Sequence, residues 1–245
     1  RIFEDINPDP KYVFRTMNHG TANNVSAAHF VVAKFKDRLK KGFTGINQNY
    51  AWGQDSWRDF SLALNTLMPG VKGSKKNQMP KIFAGQYGSE ISALSRAKEQ
   101  LVHSSFWGGD LEAFIGQASA RGLFKRKQFV FTVGETVAYR LGTKFPEGII
   151  VGTRGPYGIY VVDNPSPLNQ WFQKEYRKAY GQPPAQPSYQ YAQGFLGAKY
   201  AYDKAAKKAG KFPTTDQVIA ALRGATFPTF VGNVEMGLSK GHQGL

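Results

Sequence analysis

Short apolar runs alternate with longer amphipathic stretches along almost the whole chain, and this alternation most narrows what it can fold into. Repeated strand–helix units assemble into a mostly parallel sheet covered by helices, so an α/β fold is expected. Residues 11–16 (KYVFRT) read as a strand, 24–41 as a helix capped by Asn24 or Ser26, and 43–47 (FTGIN) as a short strand. The loop 48–53 then leads to a helix over 55–68 that stops before Pro69. Ser89 can cap a helix over 90–100, and 101–106 (LVHSSF) is the next strand. After the turn at Gly108-Gly109, Asp110 caps a helix on which Leu111, Phe114, Ile115 and Ala118 share one face, and Gly122 ends it. Residues 128–133 and 148–153 are two further strands. A stretch rich in Gly, Pro and Asn at 154–166 marks a lobe boundary, followed by helices over 167–180, 187–209 and 215–223, each ending at or beside a glycine. Residues 68–81, dominated by Gly, Pro and Lys, read as a surface connection.

Composition removes several classes of chemistry. The chain has no Cys, hence no disulfide, thiolate metal site or Cys nucleophile. Its four His (His19, His29, His103, His242) lack the spacing of a metal-ligand set, so neither metal nor cofactor is expected. No apolar run is long enough to cross a membrane, and RIFEDINPDP lacks the pattern of a signal peptide. The 32 Lys and Arg outnumber the 17 Asp and Glu, giving a formal charge of +15. These bases fall in separate clusters at 34–41, 72–81, 121–127 and 199–211, mostly at helix ends, where cations complement the helix dipole. They neither interleave regularly with aromatic residues nor form a groove-reading motif, so no nucleic-acid partner is expected.

In parallel α/β sheets ligands bind beyond the carboxyl ends of the strands. Three such places are QNYAWG (48–53), FWGGD (106–110) and VGE (133–135). They offer Tyr50, Trp52 and Trp107 as aromatic walls, Gly108 in the turn, and Asp110 and Glu135 as carboxylates, together suited to a small solute with apolar and cationic parts. Each residue also has an ordinary structural reading: the tryptophans can cover a sheet edge, Asp110 can cap a helix and Glu135 can pair with a base. An enzyme would use Asp110 and Glu135 as acid and base with His103 as a shuttle. No nucleophile elbow, phosphate loop or GxGxxG accompanies them.

Five segments in order resemble one family, the solute-binding proteins of bacterial ABC importers of the branched-chain amino acid type. They are INQNYAWGQDSWRDF (46–60), FWGGDLEAFIGQASARGLF (106–124), LGTKFPEGIIVGTRGPY (141–157), the helix pair at 164–205 and ALRGATFPTFVGNVEM with GHQ (221–243). The resemblance implies a type I periplasmic binding fold: two Rossmann-like lobes with parallel sheets, closing on a solute between them. It assigns residues 1–20 and 156–232 to lobe one and 21–155 and 233–245 to lobe two. It places Trp52, Trp107 and Asp110 at ligand-facing positions and Glu135, to within one residue, at an ammonium-pairing position. Family members carry further sequence before YVFRT, so lobe one is expected to be incomplete; Trp52, and Gln48 or Asn49, also depart from the family's usual Tyr and acidic residue, leaving the solute open. The implied function is a monomeric, non-enzymatic extracytoplasmic receptor that delivers an amino acid or related amide or carboxylate to a membrane permease. A ligand-sensing regulator of the same fold is the alternative.

Overall fold

The computed structural model describes residues 6–7, 10–153, 166–238 and 244. The chain divides into two compact units, residues 19–154 and residues 1–18 with 155–245.

The first unit is built on four parallel strands in the order β1 (Phe43–Gly45), β2 (Leu101–Ser104), β3 (Gln128–Phe131) and β4 (Ile150–Val151). Register runs Thr44 opposite Val102, Val102 opposite Phe129, and Phe131 opposite Val151. Side chains alternate across a strand, and here both faces are apolar, as a parallel sheet covered on both sides requires. Val102, Phe129 and Phe131 point into one core with Phe106, Phe114 and Tyr87. This face is covered by α3 (Gly88–Arg96), α4 (Gly108–Ala120) and α5 (Glu135–Leu141). Leu101 and Val130 point the other way, against Ala28 and Val31 of α1 (Gly20–Phe35) and Phe60, Ala63 and Leu64 of α2 (Ala51–Leu67).

Three expected boundaries move. The helix after β1 begins at Ala51 rather than Asp55, so Tyr50 is its N-cap and Trp52 lies in its first turn instead of a loop. Trp107, not Asp110, is the N-cap of α4, and Asp110 is its third residue. Residues 72–80 are more than a surface connection: they run beside β1, with Phe43 N–H donating to Lys72 O at 3.1 Å and Gln78 N–H to Gly45 O at 2.8 Å. This segment satisfies backbone groups that an open sheet edge would expose.

In the second unit, α6 (Pro167–Tyr180), α7 (Gln186–Ala209) and α8 (Thr215–Leu222) precede an antiparallel hairpin, β5 (Thr226–Thr229) and β6 (Gly232–Glu235). Gly181 and Gly210 close α6 and α7 in the left-handed conformation, at φ 69° and 65°. Phe227, Val234 and Met236 pack with Ala201 and Leu222 in its core. Residues 11–16 form no strand; a single bridge at Arg15 is all that remains of it. The tail at 233–245, expected with residues 21–155, groups with residues 1–18 instead. Backbone pairing explains this: Met236 N–H donates to Ala225 O at 2.8 Å and Gly244 N–H to Arg15 O at 2.6 Å. Among the described residues this unit contains no parallel sheet, so two parallel sheets are reduced to one. The expected lobe connection at 154–166 lies, but for Ser166, outside the described residues.

Candidate functional site

The carboxyl ends of β1 and β2 are adjacent, so the loops that follow them meet. A polar floor joins them. Asn47, fully buried, accepts through Oδ1 from Ser105 N–H at 2.8 Å and from Ser105 Oγ at 2.7 Å. Its amide faces His103 Nδ1 at 3.4 Å, and His103 Nε2 lies 2.9 Å from Asn24 Oδ1 on α1. The Nε2–H tautomer satisfies both contacts, with Nδ1 accepting from Asn47 and Nε2 donating to Asn24. The ring also stacks on Phe60 at 4.3 Å. Burial pushes the His103 pKa down to about 3, so the imidazole is neutral and cannot shuttle protons near neutral pH.

Aromatic residues lie beyond the same strand ends. Trp107 is 41% exposed and donates from Nε1 to Tyr50 Oη at 3.0 Å. Phe83 meets the Trp107 ring edge-on at 6.3 Å and 80°. No sequence signal pointed to Phe83, yet it combines 73% exposure with a left-handed backbone at φ 60°. For a bulky residue that conformation is strained and must be held by its surroundings. Asp110 helps to hold it: Oδ2 accepts from Phe83 N–H at 2.9 Å and from Gln48 Nε2 at 2.7 Å. Burial, together with the neighbouring Asp110 carboxylate, pushes the Tyr87 phenol well above its ordinary pKa, keeping it protonated.

The six residues anticipated from sequence thus have different situations. Tyr50 and Trp107 form one hydrogen-bonded pair at the surface. Gly108 follows at φ 55°, with nothing within 4 Å of where a Cβ would stand. Trp52 is a wedge: its indole N–H donates to Ser105 O at 3.1 Å, and its ring lies 2.4 Å from the position of a Cβ on Gly20. Asp110 is buried and its carboxylate ties the β1 loop to the Phe83 loop, a role that the capping argument missed. Glu135 is buried at the first turn of α5, beyond the end of β3. Among the described residues no group of three or more His, Asp or Glu gathers as a metal site would require, and no helix is long and apolar enough to cross a membrane.

Residues 5–244 match the family model described as Periplasmic binding protein. The structure is similar to that of an ABC transporter solute-binding protein from R. palustris solved with benzoate, at 22% identity and TM-score 0.70, covering 96% of this chain and 60% of that one. A leucine-binding protein from Thermotoga maritima matches at 15% identity and TM-score 0.72, covering 95% and 62%. A leucine-, isoleucine-, valine-, threonine- and alanine-binding protein from Brucella ovis, in its closed conformation, matches at 21% identity and TM-score 0.68, covering 96% and 57%. The chain therefore spans about 60% of the length of these structures. No curated protein sequence matches it. The fold is the type I periplasmic binding fold, present in part.

Proposed function

The chain belongs to the periplasmic binding protein family, and from that premise we propose that it grips a small organic acid or amino acid as part of an extracytoplasmic receptor serving an ABC importer. The observation that carries this reading is the trio of half-buried Tyr50 and exposed Phe83 and Trp107, beyond strand ends at which Asn47 and Ser105 are already hydrogen-bonded to each other. Such a surface offers an apolar solute body rigid aromatic area at little entropic cost. Its neighbour, the first turn of α4, carries no side chain at Gly108 or Gly109, and nothing lies within 4 Å of a Cβ at either. A solute carboxylate brought there meets backbone N–H groups at the positive end of a 13-residue helix.

The solute class draws on relatives that bind benzoate and leucine. Both combine an apolar body with a carboxylate. Asp110 is not available to an amine on the solute, because its carboxylate is engaged within the protein. That engagement, with the neutral His103, favours binding over turnover. Delivery to a permease outside the cytoplasm completes the same reading.

Calorimetric titration with benzoate and with leucine, alongside tryptophan fluorescence, tests it. One of the two should bind saturably and change the emission. Trp107→Ala should weaken that binding by about 1–3 kcal/mol, the scale of losing a large apolar contact, with the circular dichroism spectrum retained. Binding of equal strength in the variant would show that the trio is not the site, and no saturable binding of either acid would remove the proposed solute class.

A further inference from the structure

At the opposite ends of β1 and β2, where the strands begin, a cavity of about 870 Å³ opens between the turn at 39–42, the segment 70–78 and the end of α3. The solute reading makes no use of it. Its lining includes seven Lys or Arg and one carboxylate, Glu99. Lys40 is answered by Asp37 at 2.8 Å. The other six, Lys41, Lys72, Lys75, Lys76, Arg96 and Lys98, form no ion pair among the described residues. Glu99, a single carboxylate, is buried and interacts electrostatically with Lys127, so it leaves the lining with an excess of positive charge. Lys127 in turn donates from Nζ to the backbone oxygens of Ala97 and of Glu99, the latter at 2.6 Å.

A helix-end explanation covers only some of these cations. Arg96 lies in the last turn of α3, where a positive charge complements the dipole. Lys72, Lys75 and Lys76 lie well past the end of α2 at Leu67, on the segment bonded to β1. Ser74 N–H donates to Phe43 O at 2.7 Å, and Lys76 N–H to Ser74 Oγ at 3.2 Å, so the sheet and a local turn fix where these lysines start. Six like charges lining one hollow repel one another wherever they come within the screening length of about 8 Å. An anion among them relieves that repulsion and gains from the focused field. The volume exceeds what a single phosphate fills, and no aromatic residue lines it to stack on a base or a ring.

We infer that this hollow is a second binding site, for an oligoanion carrying several phosphate groups, either free in solution or displayed by phospholipid headgroups. The test uses the full chain in about 0.15 M salt, where exposed charges are screened beyond roughly 8 Å. Tripolyphosphate is titrated calorimetrically, and vesicles of phosphatidylcholine with and without phosphatidylglycerol are co-sedimented. Two triple variants carry the comparison: K72Q/K75Q/K76Q at the hollow and K174Q/K178Q/K207Q, equally exposed, in the other unit. Saturable binding of tripolyphosphate or of the anionic vesicles, weakened about tenfold or more by the first triple and little by the second, supports the site. Whichever probe binds identifies the source of the phosphate groups. Equal weakening by both triples, or binding of neither probe, overturns the inference. The carboxyl-end site is untouched by these variants, so either outcome leaves the solute reading standing or falling on its own test.

Discussion

Of the tryptophans at the strand ends, Trp107 shows its ring to solvent while Trp52 spends its ring on the start of α1 and its N–H on Ser105. Their neighbours in sequence are alike in kind, and only their partners in space differ. His103 shows the same principle with a measurable consequence. Folded, it accepts a proton only near pH 3; unfolded, it does so near 6.5. Between these values the unfolded state binds more protons, so stability falls as pH drops below about 6.5 and is unaffected by this group above it. By pH 5 the loss should reach about 2 kcal/mol, at 1.36 kcal/mol per unit. Denaturation midpoints from pH 8 to pH 5 measure it, and His103→Gln should flatten that limb. An unchanged slope in the variant would mean that other groups carry the acid sensitivity.

Elements are decided by contacts that local pattern does not contain. The early start of α2 depends on Gly53, where a Cβ would stand 2.0 Å from Gln48 O. That close approach lets the helix begin directly beneath the loop that carries Gln48 and Tyr50. Gly53→Ala should therefore cost about 1–3 kcal/mol, the usual range for overpacking, and displace Tyr50 from Trp107. Gly116 in α4 has nothing within 4 Å of its Cβ position. Gly116→Ala should instead stabilise by about 0.5–1 kcal/mol by removing backbone entropy from the unfolded chain. Chemical denaturation of the two variants checks the contrast, and equal effects would contradict it. The segment at 72–80 and the β5–β6 hairpin went unrecognised because neither advertises itself. The former pairs with β1 while carrying Gly and Lys in place of a β-branched run, and the latter has Pro228 within a strand.

For the whole molecule, the charge of +15 matters most. The cations are spread over both units, and one group of seven lines a hollow rather than a groove-reading helix or an aromatic platform. Duplex DNA of mixed sequence should bind no more tightly than the non-specific range of about 10⁻⁴ to 10⁻⁶ M at physiological salt, and less tightly as salt rises. Fluorescence anisotropy measures this, and nanomolar, sequence-dependent binding would contradict it.

The sequence by itself determined the α/β class, the family, most helices to within a few residues, and that Tyr50 and Trp107 follow the carboxyl ends of β1 and β2. These features are local or periodic: apolar spacing sets which face is buried, glycines such as Gly122, Gly181 and Gly210 punctuate the ends, and parallel topology sets which strand ends carry loops. Only the tertiary structure decided that Asp110 anchors Phe83, that Trp52 is a wedge, that the tail joins residues 1–18, and that Lys41, Lys72 and Lys98 face one hollow. These depend on partners tens of residues away, where a hydrogen bond or a charge finds its counterpart through the packing of whole elements and leaves no periodic trace in the chain.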